Sequence, residues 1–203
     1  MKIEIRSNTE AVIEGYVNVC GRESRAMPSP RGKFIEIVKP GTFQQALNKG
    51  NPVGLMFNHS RTLGGTDKGN LELREDNIGL YAKATISDAD VITKAKEKRL
   101  HGWSFGFVCA KDSWKTTENG ECRTLEDIEL REVSILDITP AYIATSIEMR
   151  DGAATICEHR VFDEDIQYIN ADKAPDNAEK CDFSVKMRFL KQKFEFLKRK
   201  GGF

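Results

Sequence analysis

The chain has 203 residues, with 31 Lys+Arg, 31 Asp+Glu, 39% hydrophobic residues and a mean hydropathy of -0.47. That is enough for one sizeable core plus a tail, and no window approaches the roughly 18 uninterrupted apolar residues a membrane span needs. The balanced total hides an acidic segment, residues 151–182 with 3 Lys+Arg against 9 Asp+Glu, and a basic end, residues 183–203 with 7 against 1. A neutral body argues against a broad nucleic-acid footprint, so an electrostatic partner would meet the tail.

The first ten residues, MKIEIRSNTE, contain no apolar stretch of the kind a secretory leader carries. Five cysteines (Cys20, Cys109, Cys122, Cys157, Cys181) form no CxxC pair and are odd in number, so reduced thiols are expected rather than a metal knuckle or a disulfide framework.

Residues 1–150 read as a mainly β domain with a few helices. AVIEGYVNVC (11–20) is rich in β-branched residues and interrupted by Gly15, which suits a strand with a bulge. A loop with Pro28 and Pro30 leads to the short strand FIEIV (34–38). Thr42 is placed to cap a short helix that Gly50 ends. VGLMFNH (53–59) reads as a buried strand, and LELREDNIGLYAKATI (71–86) as two strands around a turn at Asp76–Gly79. Asp88 or Asp90 starts a helix with Val91 and Ala95 four apart. WSFGFVCA (103–110) and TLEDIELREVSILDI (124–138) are the last clear strands, joined by a turn at 118–120.

From residue 151 periodicity weakens, and 151–182 reads as an acidic linker or loosely packed segment. Phe183, Met187, Leu190, Phe194 and Leu197 then recur at helical spacing, which makes 183–203 a basic amphipathic helix. Such a helix suits docking in a groove on a partner, a membrane surface or nucleic acid, or packing back on the body.

Three histidines allow each to be weighed. His101 sits at a helix-to-strand junction, in a surface or capping role, and His159, in the acidic segment, reads as solvated. His59 closes an apolar strand, where a rigid scaffold hands residues to a site; by itself it reads more often as a structural histidine. In GWSFGF (102–107), strict alternation puts Ser104 and Gly106 on one face and Trp103, Phe105 and Phe107 on the other. A small hydroxyl beside glycine leaves room for a substrate backbone, although a tightly packed strand would look the same. It is not a GxSxG elbow. In LREVSILDITPAY (130–142), alternation places Glu132 with Leu130, Ser134 and Leu136. A buried carboxylate needs a partner, either an arginine or an imidazole. With His59 between Glu132 and Ser104, the three would make a nucleophile, a base and an orienting acid.

The ordered blocks IEIVKPGTF, LMFNHS, LGG, NIGLYAKATI, GWSFGF and LREVSILDITPAY resemble the prohead maturation proteases of tailed bacteriophages over residues 11–150. That family is similar to herpesvirus assembly proteases, so the resemblance implies a compact β-barrel ringed by helices (α+β, mainly β), residues 1–150, with 151–182 and 183–203 appended. It implies a serine endopeptidase that acts inside the assembling procapsid, in the bacterial host cytoplasm, removes scaffold or the scaffold-like part of the capsid protein, and digests itself. The family's histidine falls on His59 and its serine on Ser104. Glu132 is chosen as third member, with Asp127 and Glu129 in reserve. Herpesvirus relatives use a second histidine instead, and His159 is the one available downstream of the serine. The oxyanion donors are not named by the sequence; backbone N–H groups near Ser104 are the physical expectation.

The resemblance implies no metal or organic cofactor, no nucleic acid and no membrane. Capsid protein and scaffold are the implied substrates, with portal protein and a second copy of the chain open as further partners. Two other readings stand beside the endopeptidase: a non-catalytic capsid assembly factor of the same fold, and a hydrolase of small esters. The first is told apart by a stable intact mass on storage, the second by a peptide panel.

Overall fold

The structure is a computed structural model, and it describes residues 1–29, 32–117, 120–137, 143–150, 153–162 and 165–170. Alternating and continuous apolar runs build thirteen strands among these residues: β1 Lys2–Ile5, β2 Ala11–Val19, β3 Met27–Ser29, β4 Gly32–Val38, β5 Gly54–Phe57, β6 Arg61–Gly65, β7 Leu71–Glu75, β8 Gly79–Ile86, β9 Gly102–Thr117, β10 Gly120–Leu136, β11 Ile143–Arg150, β12 Ala153–Phe162 and β13 Gln167–Asn170. Two helices interrupt them, α1 Thr42–Asn48 and α2 Ala89–Lys96.

The α2 start follows the sequence: the Asp88 side chain accepts the N–H of Val91. The α1 start does not. Its cap is Gly41, in the left-handed region (φ 90°), and Glu75 of β7 reaches across to accept the N–H groups of Gly41 and Gln44, each at 2.6 Å. A carboxylate supplied from another strand complements the helix N-terminus, while Thr42 bonds the Leu125 carbonyl instead.

The strands form two open sheets, not the expected closed barrel. One runs β13-β1-β2-β8-β7, and the other runs β11-β12-β9-β10-β4-β3, with β5 and β6 joined to it through β10. Closure would require the edge strands of one sheet to pair; here the apolar faces cover one another as layers. One core cluster draws on both sheets and both helices: Ile3, Ile13 and Val17 from β1 and β2, Leu80 and Ala84 from β8, Phe43 and Ile92 from the helices, and Trp103, Phe105 and Phe107 from β9. Phe43 packs edge-on against Phe105, ring centroids 5.2 Å apart.

The strand ladder also continues past residue 150, where the sequence reading ends the β domain. β12 lies between β9 and β11, and β13 pairs in parallel with β1. The charged residues of β12, Glu158 and Arg160, have tertiary partners that no local pattern reveals. Residues 171–203, including the expected basic helix at 183–203, lie outside the described residues.

Candidate active site

Cross-strand register brings the site together on one face of the larger sheet. Gly106 of β9 stands opposite both Glu132 of β10 and His159 of β12, and Glu132 stands opposite Gly54 of β5. The neighbouring row holds Val161, Ser104, Ser134 and Met56. The two rows are two residues apart along each strand, about 7 Å.

A β-bulge decides that Glu132 belongs to this face. Leu130 pairs with Phe107 but Glu132 pairs with Gly106, so the register slips across Arg131. Simple alternation places Leu130 and Glu132 together; the extra residue turns them to opposite faces. Leu130 joins the aromatic core of β9, and Glu132 joins Ser104 and Gly106.

His59 arrives from the turn after β5. Asn58 and His59 both take left-handed backbone angles, φ 51° and 58°, which non-glycine residues rarely adopt. Asn58 holds the turn: its amide donates to Asp137 Oδ1 at 2.6 Å, its carbonyl oxygen accepts the Asp137 N–H at 3.1 Å, and its backbone N–H donates to the Ile135 carbonyl at 3.0 Å. The His59 backbone N–H donates to Ser134 Oγ at 3.2 Å. The ring is thereby carried over β10.

His59 Nδ1 lies 2.6 Å from Glu132 Oε1, and His159 Nδ1 lies 3.2 Å from the same oxygen. Ser134 Oγ donates to the other oxygen, Oε2, at 2.5 Å. Glu132 and His159 are 4% and 6% exposed, and the two imidazole rings sit 4.3 Å apart. Burial by itself would raise the Glu132 pKa. The hydrogen bonds from His159, His59 and Ser134, with the charge of His59, outweigh it and hold the carboxyl below its ordinary value. An ionised carboxylate only accepts, so each imidazole presents an Nδ1–H to it. A neutral His59 in that tautomer keeps its lone pair on Nε2, the form a general base needs.

Gly106 makes this convergence possible. A Cβ on it would lie 2.7 Å from Glu132 Oε1 and 2.9 Å from His159 Nδ1. Gly106→Ala is therefore expected to fold, at a cost of about 1–3 kcal/mol for overpacking. If the cluster serves the expected hydrolysis, turnover should fall about 100-fold, because the acid and its imidazoles move off line. Peptide cleavage with the melting temperature checks it, and wild-type turnover would mean that the cluster does not serve the reaction.

Ser104 lies on this face, opposite Ser134, and is fully buried. Its hydroxyl donates to the Arg160 carbonyl at 2.8 Å rather than to an imidazole. The reserve acids are elsewhere: Asp127 pairs with Lys49 at 2.5 Å and Glu129 with Arg131 at 2.9 Å. His159, which the residue pattern leaves in solvent and only the family resemblance offers for the third place, is buried in the site. The signal that finds it is register: β12 pairs with β9 only if Glu158 and Arg160 are neutralised on the opposite face. They are. Arg160 binds Glu36 through Nε at 2.7 Å and Nη2 at 3.0 Å, and Arg123 holds Glu158 through two bonds of 2.7 and 2.9 Å and Asp112 at 2.6 Å. Such a network is tolerated in the interior because every charge in it has partners. It also fixes the strand whose carbonyl holds Ser104.

No curated protein and no solved structure matches the chain. The family model of the caudovirus prohead serine protease matches residues 1–158. The matched span contains His59, Ser104, Gly106 and Glu132 and ends one residue before His159. By a match that covers most of its length, the chain belongs to the caudovirus prohead serine protease family.

Proposed function

We propose that the chain is a serine endopeptidase of procapsid maturation, with Ser104 as nucleophile, His59 as base and Glu132 as the acid that orients it. The observation that carries this reading is the 2.6 Å contact of His59 Nδ1 with a buried carboxylate on a face shared with Ser104. For this reaction Ser104 Oγ must release the Arg160 carbonyl and turn to His59 Nε2. The base then takes the hydroxyl proton as Oγ attacks the scissile carbonyl. Glu132 stabilises the imidazolium, which returns its proton to the leaving amine. Water, activated by the same imidazole, hydrolyses the acyl-enzyme.

Family membership supports phage capsid proteins as substrates and the procapsid interior as the place of action. Within that class we assign scaffold and the scaffold-like segment of the capsid protein as targets, with self-cleavage. The test is a fluorophosphonate probe on the full chain, with the labelled residue mapped by peptide mass and scaffold peptide cleavage followed in parallel. Label on Ser104 with loss of cleavage is the expected result. Label on Ser134 would reassign the nucleophile. A folded protein that takes no label and cuts no peptide would be the non-catalytic assembly factor.

A further inference from the structure

Outside the catalytic roles just assigned, the cluster has a second chemistry. A ring nitrogen of His59, a ring nitrogen of His159 and a Glu132 oxygen lie within 4.8 Å of one another, and both Nδ1 atoms contact Glu132 Oε1. Two imidazoles and a carboxylate are the ligand set of open, four-coordinate zinc sites. Tetrahedral zinc, with ligands at about 2.0–2.1 Å, separates them by about 3.3 Å; the present contacts of 2.6 and 3.2 Å need only a small spread. The second shell is already built, since Ser134 Oγ fixes the far carboxylate oxygen, and Gly106 leaves the space a Cβ would fill. The side chains of Glu132 and His159 are 5% and 7% exposed and that of His59 is 21%, so an ion would enter past His59 and keep a water on that side.

We propose that His59, Glu132 and His159 form an inhibitory site for zinc and similar late transition-metal dications, while Mg²⁺ and Ca²⁺, which favour oxygen cages, are excluded. The inhibition follows from tautomers and rests on the proposed role of His59. A metal on Nδ1 displaces the proton there, so a neutral His59 carries it on Nε2. The ring then donates where the base must accept. Because the ion sits behind the imidazole, away from the scissile bond, it should lower kcat and leave KM unchanged.

The binding test uses full-length Ser104→Ala, which removes the hydroxyl assigned as nucleophile. Zinc is expected to bind at one equivalent by calorimetry, and Co²⁺ to give visible ligand-field bands without a thiolate charge-transfer band, which excludes the cysteines. Adding His159→Gln should weaken binding more than about 100-fold, beyond the effect of an outer-shell change. Should that variant not fold, ring ¹⁵N shifts of the Ser104→Ala protein decide. Two of the three histidines should show metal at Nδ1, with the exposed His101 unaffected. Thiolate bands, binding unchanged by His159→Gln, or unshifted His59 and His159 rings would overturn the site. On the wild type, zinc should depress kcat reversibly, with recovery on adding a chelator. Zinc bound at these residues with full peptide cleavage would instead overturn the inhibition and remove His59 as the base.

Discussion

Ser104→Ala is expected to abolish peptide cleavage and self-processing while leaving a folded protein. In the serine protease template, loss of the nucleophile costs about 10⁶-fold in turnover, and removal of this hydroxyl should do the same if Ser104 is the attacking group. The structural cost is small. The hydroxyl donates one buried hydrogen bond, to the Arg160 carbonyl, so about 1 kcal/mol is lost. Ser134→Ala is the paired control. Its Oγ bridges Glu132 Oε2 and the His59 backbone N–H, so its loss loosens the acid and the turn without removing a reacting atom; about 10²-fold is expected from misplacement. Steady-state cleavage of a scaffold peptide by both variants, each checked by circular dichroism, separates them. If Ser104→Ala retains turnover within tenfold of wild type, about 1.4 kcal/mol in the barrier, and Ser134→Ala does not, the roles of the two serines exchange.

Glu132→Gln should cost about 10⁴-fold in turnover, the magnitude of the acid-to-amide change in the serine protease template. The amide keeps the shape, but it does not carry the charge that stabilises the imidazolium. Near-normal turnover would give the third place to His159, whose ring reaches the same oxygen. Stability supplies an independent readout. The fold lowers the Glu132 pKa below its ordinary 4.5, its hydrogen bonds and the His59 charge outweighing burial. A group with a depressed folded pKa contributes stability above its unfolded value and loses it as pH falls through the folded one. Wild type should therefore exceed Glu132→Gln in stability at neutral pH, and the gap should close on acidification below about pH 4.5. A gap independent of pH would mean that Glu132 is not ionised in the folded protein.

Much of this site is legible in the residues taken one by one. His59 at the end of an apolar strand, Ser104 and Gly106 sharing a face, and Glu132 as an acid in a core-like run all follow from local composition and a period of two, which the strand backbone itself imposes. The α2 cap at Asp88 and the β7–β8 hairpin are equally local, because the groups that make them lie within a few residues. The remaining features depend on strands distant in sequence. The bulge at Arg131 lies where β10, paired with β9 along one side, begins its pairing with β5 on the other, and that one residue moves Leu130 to the opposite face from Glu132. His159 is buried because Arg123, Arg160 and Glu36 neutralise one another and Glu158. Without those partners its strand reads as a solvated acidic segment. Whether the sheets close is likewise set by the pairing of edges far apart in the chain. The sequence by itself determined which residues are candidates for the chemistry. Only the tertiary structure decided which face they share and that a second imidazole joins them, because register is a property of paired strands.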